Sequence, residues 1–168
     1  HPGLGYIEAA VHEGWLLGCG NNQFCPNDSL TRAQAASILK NALNLESYER
    51  SNLSDIREHW ARVAIEAVVS EGIMSGCQAD RFCPEDILTR AQAAMIIAKA
   101  GHLENKHNPK FQDVPNDHWA ADAIAALDEM GYIGGCSADD FCLEVPMRRW
   151  LYVTWLAQTL SLDKNSCP

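Results

Sequence analysis

The sequence lacks several features from which function is often read. No apolar run approaches the ~18 residues of a bilayer-spanning helix, so we expect no insertion into a membrane. Lys and Arg number 13 against 22 Asp and Glu, and the net charge of −9 argues against binding to nucleic acid. There is no glycine-rich phosphate loop, nucleophile–base set or pair of catalytic carboxylates. We therefore expect a protein that is not an enzyme and holds no cofactor or metal.

The sequence does contain a long repeat. Residues 14–36 read GWLLGCGNNQFCPNDSLTRAQAA, residues 72–94 read GIMSGCQADRFCPEDILTRAQAA, and a degraded third copy begins at residue 131. The copies are 58 and then 59 residues apart. Units this short bury little surface alone, so they are expected to pack on one another. We predict three tandem modules, at residues 1–45, 46–103 and 104–168, the first incomplete because Pro2 stands where Trp60 stands.

Six of the seven cysteines form one pair per module, each with five residues between: Cys19/Cys25, Cys77/Cys83 and Cys136/Cys142. Zinc ligands usually come in tighter pairs joined by a second pair, so a local disulfide in each module is favoured over a metal site. A bridge of this size stabilises the fold by about 2 kcal/mol on the loop-entropy estimate. Disulfides belong to oxidising compartments. Together with a start at His1 rather than Met, they lead us to expect a processed, exported protein.

Apolar residues recur at helical spacing on both sides of each cysteine pair. In the second module one stripe begins at Trp60 and ends before Gly72, and another follows a capping box of Thr89 and Gln92. We predict an all-α fold of helix–loop–helix modules with few or no strands. The third module has Arg148 and Arg149 where a capping box would begin, so Pro146 is expected in the first turn of its second helix instead.

These anchors occur in a fixed order: Leu53-x-Asp55-Ile56, His59-Trp60-Ala61, a helix, Gly72-Ile73-x-x-Gly76, and Leu88-Thr89-Arg90-Ala91. The pattern resembles the S-layer homology (SLH) module, in three copies over about residues 6–160. The resemblance implies helix–loop–helix modules around a pseudo-threefold core. It also implies an extracellular role at the cell surface or S-layer, holding proteins on cell-wall polysaccharide that is often acidic and pyruvylated. The family glutamate is replaced by Gln34 and Gln92, and the cysteine pairs are absent from the commonest versions of the module.

The resemblance also implies that the motif arginines, Arg32, Arg90 and Arg149, lie in grooves between modules and bind glycan. A guanidinium directed outward at a helix start would suit a carboxylate-bearing sugar. The alternative is that these arginines pair with local acids such as Asp28 and Asp86 and pin the loop. The sequence leaves both interpretations open.

Four further residues are candidates for glycan contact. Trp60 and Trp119 have faces that could stack on a sugar, but each begins an apolar stripe, so packing in the core is favoured. Asp55 and Asp113 could join a groove, but a cap on the turn that follows them is favoured.

A second hypothesis is that the chain is a self-assembling subunit of a surface layer, filament or tube. On this view the modules leave no passenger domain, and residues 161–168 dock into the incomplete first module of a neighbour. Cys167 has no partner in the pattern and is a candidate for a bond to another chain. Asn27 and Asn52 begin Asn-x-Ser sequons and are candidate glycosylation sites.

Overall fold

The computed structural model describes residues 3–19, 23–46, 51–104 and 108–164. Over these ranges the chain forms six α-helices and a short 3₁₀ helix, Ser54–Ile56. The α-helices are α1 (Leu4–His12), α2 (Arg32–Ala42), α3 (Arg62–Ser70), α4 (Arg90–Ala100), α5 (Ala121–Glu129) and α6 (Arg149–Thr159). The only β pairing in the described residues consists of isolated bridges. The prediction of an all-α fold is confirmed.

Each repeat contributes a nine-residue helix, a cysteine loop and an eleven-residue helix. The first helix of each pair is followed by a glycine with positive φ, at Gly14, Gly72 and Gly131, as the left-handed C-terminal cap requires. The second helix of each pair then packs on the first helix of the next: α2 on α3, α4 on α5, and α6 back on α1. The six helices therefore close into a ring.

Three backbone hydrogen bonds mark the centre of this ring. The Leu30 N–H donates to Met147, the Met147 N–H to Leu88, and the Leu88 N–H to Leu30, over N···O distances of 2.9, 2.7 and 2.8 Å. These residues occupy one position of the repeat, and all three are fully buried. A pseudo-threefold axis runs through this cycle.

Ring closure also provides hydrogen-bond partners for the N–H groups at the amino ends of the second helices. The first N–H groups of an α-helix have no partner in their own helix. Here the N–H of Arg32 donates to Asp86 O and that of Ala33 to Pro84 O, both in the next module. Arg90 and Arg149, with the residues after them, repeat this arrangement around the ring.

The capping boxes behave as predicted in two of the three modules. Thr31 with Gln34, and Thr89 with Gln92, exchange both hydrogen bonds of the box. Arg148 precedes α6 without a side-chain cap. The expectation for Pro146 was wrong, because Pro146 lies before α6 and forms an isolated bridge with Thr89 of the neighbouring module.

The end of the described chain packs on its own first helix. Leu162 lies against the core, and the Lys164 Nζ lies 6.0 Å from the centre of the Tyr6 ring. The part of the predicted docking tail that is described is thus used within its own chain. Cys167 lies outside the described residues.

Candidate functional site: the inter-module grooves

Within the described part of the chain, two grooves that are related by the repeat lie between modules. The first groove, of about 400 Å³, is lined by residues 15–19, one face of α2, Trp60 and Arg149. The second groove, of about 430 Å³, is lined by residues 73–77, the same face of α4, Trp119 and Arg32. Each groove takes residues from all three modules, so the grooves depend on the closed ring.

The three motif arginines are buried rather than directed outward. Arg32 is 9% exposed; its Nε donates to Phe82 O over 2.9 Å and its Nη2 to Ser75 O over 2.6 Å. The guanidinium carbon also lies 4.5 Å from the centre of the Phe82 ring. Arg32 therefore joins its own module to the cysteine loop of the next.

The other two arginines make the same contact, which we name the arginine clasp. Arg90 donates to Phe141 O and Gly134 O over 2.8 and 2.7 Å. Arg149 donates to Phe24 O and Leu17 O over 3.2 Å each. The forks do not point outward, and no carboxylate of the described chain lies within 4 Å of them. Arg149 and Arg32 do line the first and second grooves, and binding of glycan by the three arginines stays a prediction.

Burial lowers the pKa of each clasp arginine below its ordinary value. Nearby carboxylates oppose this effect, chiefly Asp86 for Arg32, Asp113 for Arg90 and Asp28 for Arg149. Arginine keeps its charge at neutral pH, so each module places a cation against the backbone carbonyls of the next.

All three predicted cysteine pairs are joined as disulfides, with Cα–Cα distances of 6.0, 6.0 and 5.9 Å. The second cysteine of each pair has a left-handed backbone, with φ of 52° at Cys25, 57° at Cys83 and 63° at Cys142. The first cysteines, Cys19 and Cys77, line the two grooves. The disulfides thus form part of the groove walls.

Asp55 and Asp113 hold these loops, which corrects their predicted role. The Asp55 carboxylate accepts the N–H groups of Phe82 and Cys83 over 2.9 and 2.7 Å. Asp113 accepts those of Phe141 and Cys142 over 2.7 and 2.6 Å. Neither caps the turn that follows it, and neither lines a described groove.

The charge on Asp55 is stabilised by these contacts. Burial on its own raises the pKa of Asp55. The carboxylate accepts hydrogen bonds from the N–H groups of Phe82, Cys83 and Asp55 itself, and it lies near the charge of Arg81. Together these contacts lower the pKa of Asp55 by more than burial raises it. The net effect is a pKa below the ordinary value for Asp.

The expectation that the two tryptophans pack in the core was wrong. Trp60 is 65% exposed and Trp119 is 53% exposed. Each lies before its helix begins, at Arg62 and Ala121, so the helical periodicity does not extend to it.

The preceding histidines fix these tryptophans. His59 Nδ1 accepts the N–H of Ala61, and His118 Nδ1 accepts the N–H of Ala120. The centres of the His and Trp rings are 5.4 Å apart in the first case and 5.0 Å in the second. Trp60 and Trp119 are thereby held as walls of the grooves.

Repeat-matched positions show how the grooves differ. Lys99 of the second groove occupies the position of Asn41 in the first, and Met95 that of Ser37. Asn41 donates to Trp15 O, whereas Lys99 is exposed and has no carboxylate within 4 Å among the described residues. Lys99 also lines two adjoining hollows. Sequence reasoning missed Lys99, although aligning the two copies reveals the change from Asn to Lys.

The remaining observations concern a third groove, the two sequons and the described ranges as a whole; glycosylation at Asn27 and Asn52 stays a prediction. By the repeat, a third groove would be lined by Arg90 and by position 2, the counterpart of Trp60. Position 2 lies outside the described residues. Asn27 and Asn52 are exposed. Residues 3–19, 23–46, 51–104 and 108–164 contain no group of three or more His, Cys, Asp or Glu suited to a metal ion. In the same ranges no helix has the length and apolarity to cross a bilayer.

Comparison with known proteins identifies the family of this chain. The sequence model described as the S-layer homology domain matches residues 1–36 and 52–94. The chain belongs to the S-layer homology domain family. These matches cover the front halves and loops of the first two modules, and the repeat and the ring extend the SLH organisation to the third. As an SLH protein the chain is located at the cell surface.

Curated relatives agree with this assignment. The Surface-layer 125 kDa protein of Lysinibacillus sphaericus is 34% identical over 136 residues, which are 79% of this chain and 12% of the relative. Cell surface glycoprotein 1 of Acetivibrio thermocellus is 34% identical over 141 residues, 74% of this chain and 6% of the relative. The Cellulosome-anchoring protein of Acetivibrio thermocellus is 29% identical over 150 residues, 82% of this chain and 33% of the relative. The SLH chain therefore spans at most a third of these relatives.

Proposed function

We propose that this chain is a non-catalytic SLH unit that binds cell-wall polysaccharide through its two described grooves. We further propose that the second groove takes a carboxylate-bearing sugar. The observation that carries this is the pairing of an exposed indole, Trp119, with the Lys99 ammonium in one groove. The anchoring relative's name supports a role in attachment.

The chemistry of the second groove suits such a ligand. An indole face offers the apolar contact that one face of a sugar ring needs. A lysine ammonium without a carboxylate partner can pair with an acidic sugar substituent. Gln92 lines this groove where the family has Glu, so one source of repulsion is absent. Arg32, which lines this groove while held in its clasp, adds positive potential to it.

The grooves are poorly equipped for hydrolysis. Glycoside hydrolysis ordinarily uses two carboxyl groups that flank the scissile bond. Among the described lining residues, the first groove has one carboxylate, Asp28, and the second has one, Asp86. This supports binding without turnover.

The first prediction tests the cation of the second groove. We expect Lys99→Asn, which reproduces the first groove's Asn41, to weaken binding to purified wall polysaccharide about tenfold, because one charge-assisted contact is lost. The loss is expected to shrink at high salt. Isothermal titration calorimetry at two salt concentrations measures both effects.

Lys40→Asn provides the matched control for Lys99→Asn. Lys40 lies in the last turn of α2 as Lys99 lies in the last turn of α4, but it does not line a described groove. Its replacement should leave affinity unchanged. Equal losses in the two variants would show a general charge effect and would refute the proposed site.

Self-assembly is the second candidate, and the surface-layer name of one relative supports it. The described contacts of residues 161–164 with α1 do not support the tail-docking form. Electron microscopy of the purified chain distinguishes the candidates: ordered sheets, tubes or fibres favour assembly, and isolated particles that decorate wall fragments favour anchoring.

A further inference from the structure

The two grooves are built from the same positions of the repeat. Thirteen described residues line each groove, and every lining position of the first has its counterpart in the second. Seven of these positions keep the residue type, among them the exposed tryptophan, the clasp arginine, one aspartate and one glutamine. The shared residues offer a sugar ring the same contacts in both grooves. Any difference in what the grooves accept therefore depends on the six positions that differ.

Three of the six differences leave the chemistry of the groove unchanged. At positions 15 and 16 of the first groove, and 73 and 74 of the second, one buried apolar residue replaces another. Leu17 and Ser75 each use the backbone carbonyl to accept a clasp arginine. The other three differences alter polarity: the first groove has Ser29, Ser37 and Asn41 where the second has Ile87, Met95 and Lys99.

Charge is balanced in the first groove but not in the second. The first groove has one aspartate and one clasp arginine, Asp28 and Arg149, and the second has Asp86 and Arg32. Burial lowers the pKa of each arginine, and in both grooves this aspartate is the charge that most opposes the lowering. The two opposite charges thus offset each other. Lys99 is the one additional charge, so the described lining of the first groove is neutral and that of the second carries one positive charge.

The first groove is poorly suited to an acidic sugar. A carboxylate that enters a groove loses part of its hydration, and an unpaired cation has to offset that cost. Lys99 is such a cation, whereas Asn41 occupies the matched position of the first groove. A carboxylate in the first groove would also be repelled by Asp28.

The polar side chains of the first groove suit the hydroxyl groups of an uncharged sugar. The hydroxyls of Ser29 and Ser37 can each donate one hydrogen bond and accept others. The Asn41 amide donates to Trp15 O over 3.1 Å, and its carbonyl oxygen can accept a sugar O–H. Both serines and Asn41 are accessible from solvent. Trp60 adds the apolar contact that one face of a sugar ring needs.

We propose that the two grooves select different units of the wall polysaccharide, and that the first groove takes an uncharged sugar through its hydroxyl groups. This rests on the proposed function, which assigns the acidic unit to the second groove. The chain then binds a polymer that presents both kinds of unit. It keeps the contact of its first groove with a polymer that has lost its acidic groups.

The test compares two forms of one polymer. Purified wall polysaccharide is titrated into the ¹⁵N-labelled 168-residue chain, before and after the carboxyl groups of the polymer are reduced to primary alcohols. The indole N–H signals of Trp60 and Trp119 report the first and second grooves separately. After reduction of the polymer, we expect the half-saturation concentration to rise about tenfold at Trp119, because the charge-assisted contact with Lys99 is lost. At Trp60 it should stay unchanged.

Equal weakening at the two tryptophans overturns the inference, because the first groove would then depend on the carboxylate as well. A Trp60 signal that responds to neither polymer, while Trp119 responds to the native one, also overturns it. Failure of the proposed function gives a different result: neither signal shifts with the native polymer, and the inference fails with it. A Trp119 titration that carboxyl reduction leaves unchanged contradicts the assignment of the acidic unit and the difference between the grooves.

Asn41→Lys places the counterpart of Lys99 in the first groove. The half-saturation concentration at Trp60 should fall about tenfold with the native polymer and become sensitive to carboxyl reduction. Gln112→Lys is the control, since it adds the same charge at an exposed position outside both described linings and should change neither titration. Lys99→Asn serves if Asn41→Lys does not fold, and it should make the Trp119 titration insensitive to carboxyl reduction. A folded Asn41→Lys variant with the wild-type titration at Trp60 contradicts the role given to this position.

Discussion

At the scale of single residues, Asp55 shows how one carboxylate organises a loop. Its pKa is lower in the folded chain than in the unfolded chain, where it is about 3.9. The ionised form therefore stabilises the fold above about pH 4, and this contribution is lost as the pH falls through the folded-state pKa.

The lowering of the Asp55 pKa on folding predicts the effect of Asp55→Asn. An amide can accept one of the two N–H groups but turns its own NH₂ toward the other, so we expect a loss of about 2 kcal/mol at neutral pH. The difference from wild type should narrow as the pH falls from about 4 through the lowered folded-state pKa of Asp55, because the wild-type carboxylate then becomes protonated. Urea unfolding at neutral pH and at a series of pH values below 4 measures it, with exposed Asp117→Asn as the control. A difference that does not depend on pH contradicts the assignment.

The contacts of some residues could be predicted from the sequence, and those of others could not. The cysteine pairs and capping boxes were predictable because their partners lie within a few positions. The clasp arginines were not, since the carbonyl partners of Arg32 lie 43 and 50 residues further along the chain. Trp60 was misassigned because it lies two residues before its helix begins, where helical periodicity carries no information.

At the scale of elements, the six helices follow from apolar spacing, glycine caps and capping boxes, so they were largely predictable. The cysteine loops were predictable only in their bridges. Their left-handed second cysteines and their attachment to Asp55 and Asp113 depend on contacts between segments that are distant in sequence.

The left-handed backbone of Cys83 leads to a prediction about replacing the Cys77–Cys83 disulfide. The variant Cys77→Ser/Cys83→Ser should be about 2 kcal/mol less stable than wild type, because the ring closure is lost. Cys77→Ser/Cys83→Gly should recover about 1 kcal/mol of this, since glycine accepts positive φ. Urea denaturation of the three proteins measures both steps. A glycine variant no more stable than the serine variant argues against a strained Cys83 backbone.

At the scale of the whole molecule, the repeat becomes a closed ring, and the proposed function depends on that closure. The central hydrogen-bond cycle, the helix ends and the arginine clasps all join one module to the next. Each described groove uses residues from all three modules, so the ring is the smallest unit that can hold a groove. The repeat made three modules predictable, but the order of contacts around the ring required the structure.

Binding of wall polysaccharide in the two grooves can be tested directly with the five tryptophans of the chain. Indole N–H signals in ¹H–¹⁵N spectra would be followed as purified wall polysaccharide is added to the labelled chain. If the grooves bind the polysaccharide, the signals of Trp119 and Trp60 should shift in a saturable way, Trp119 at the lower concentration, while buried Trp155 is unaffected. Saturable binding that leaves the Trp60 and Trp119 signals in place would contradict it.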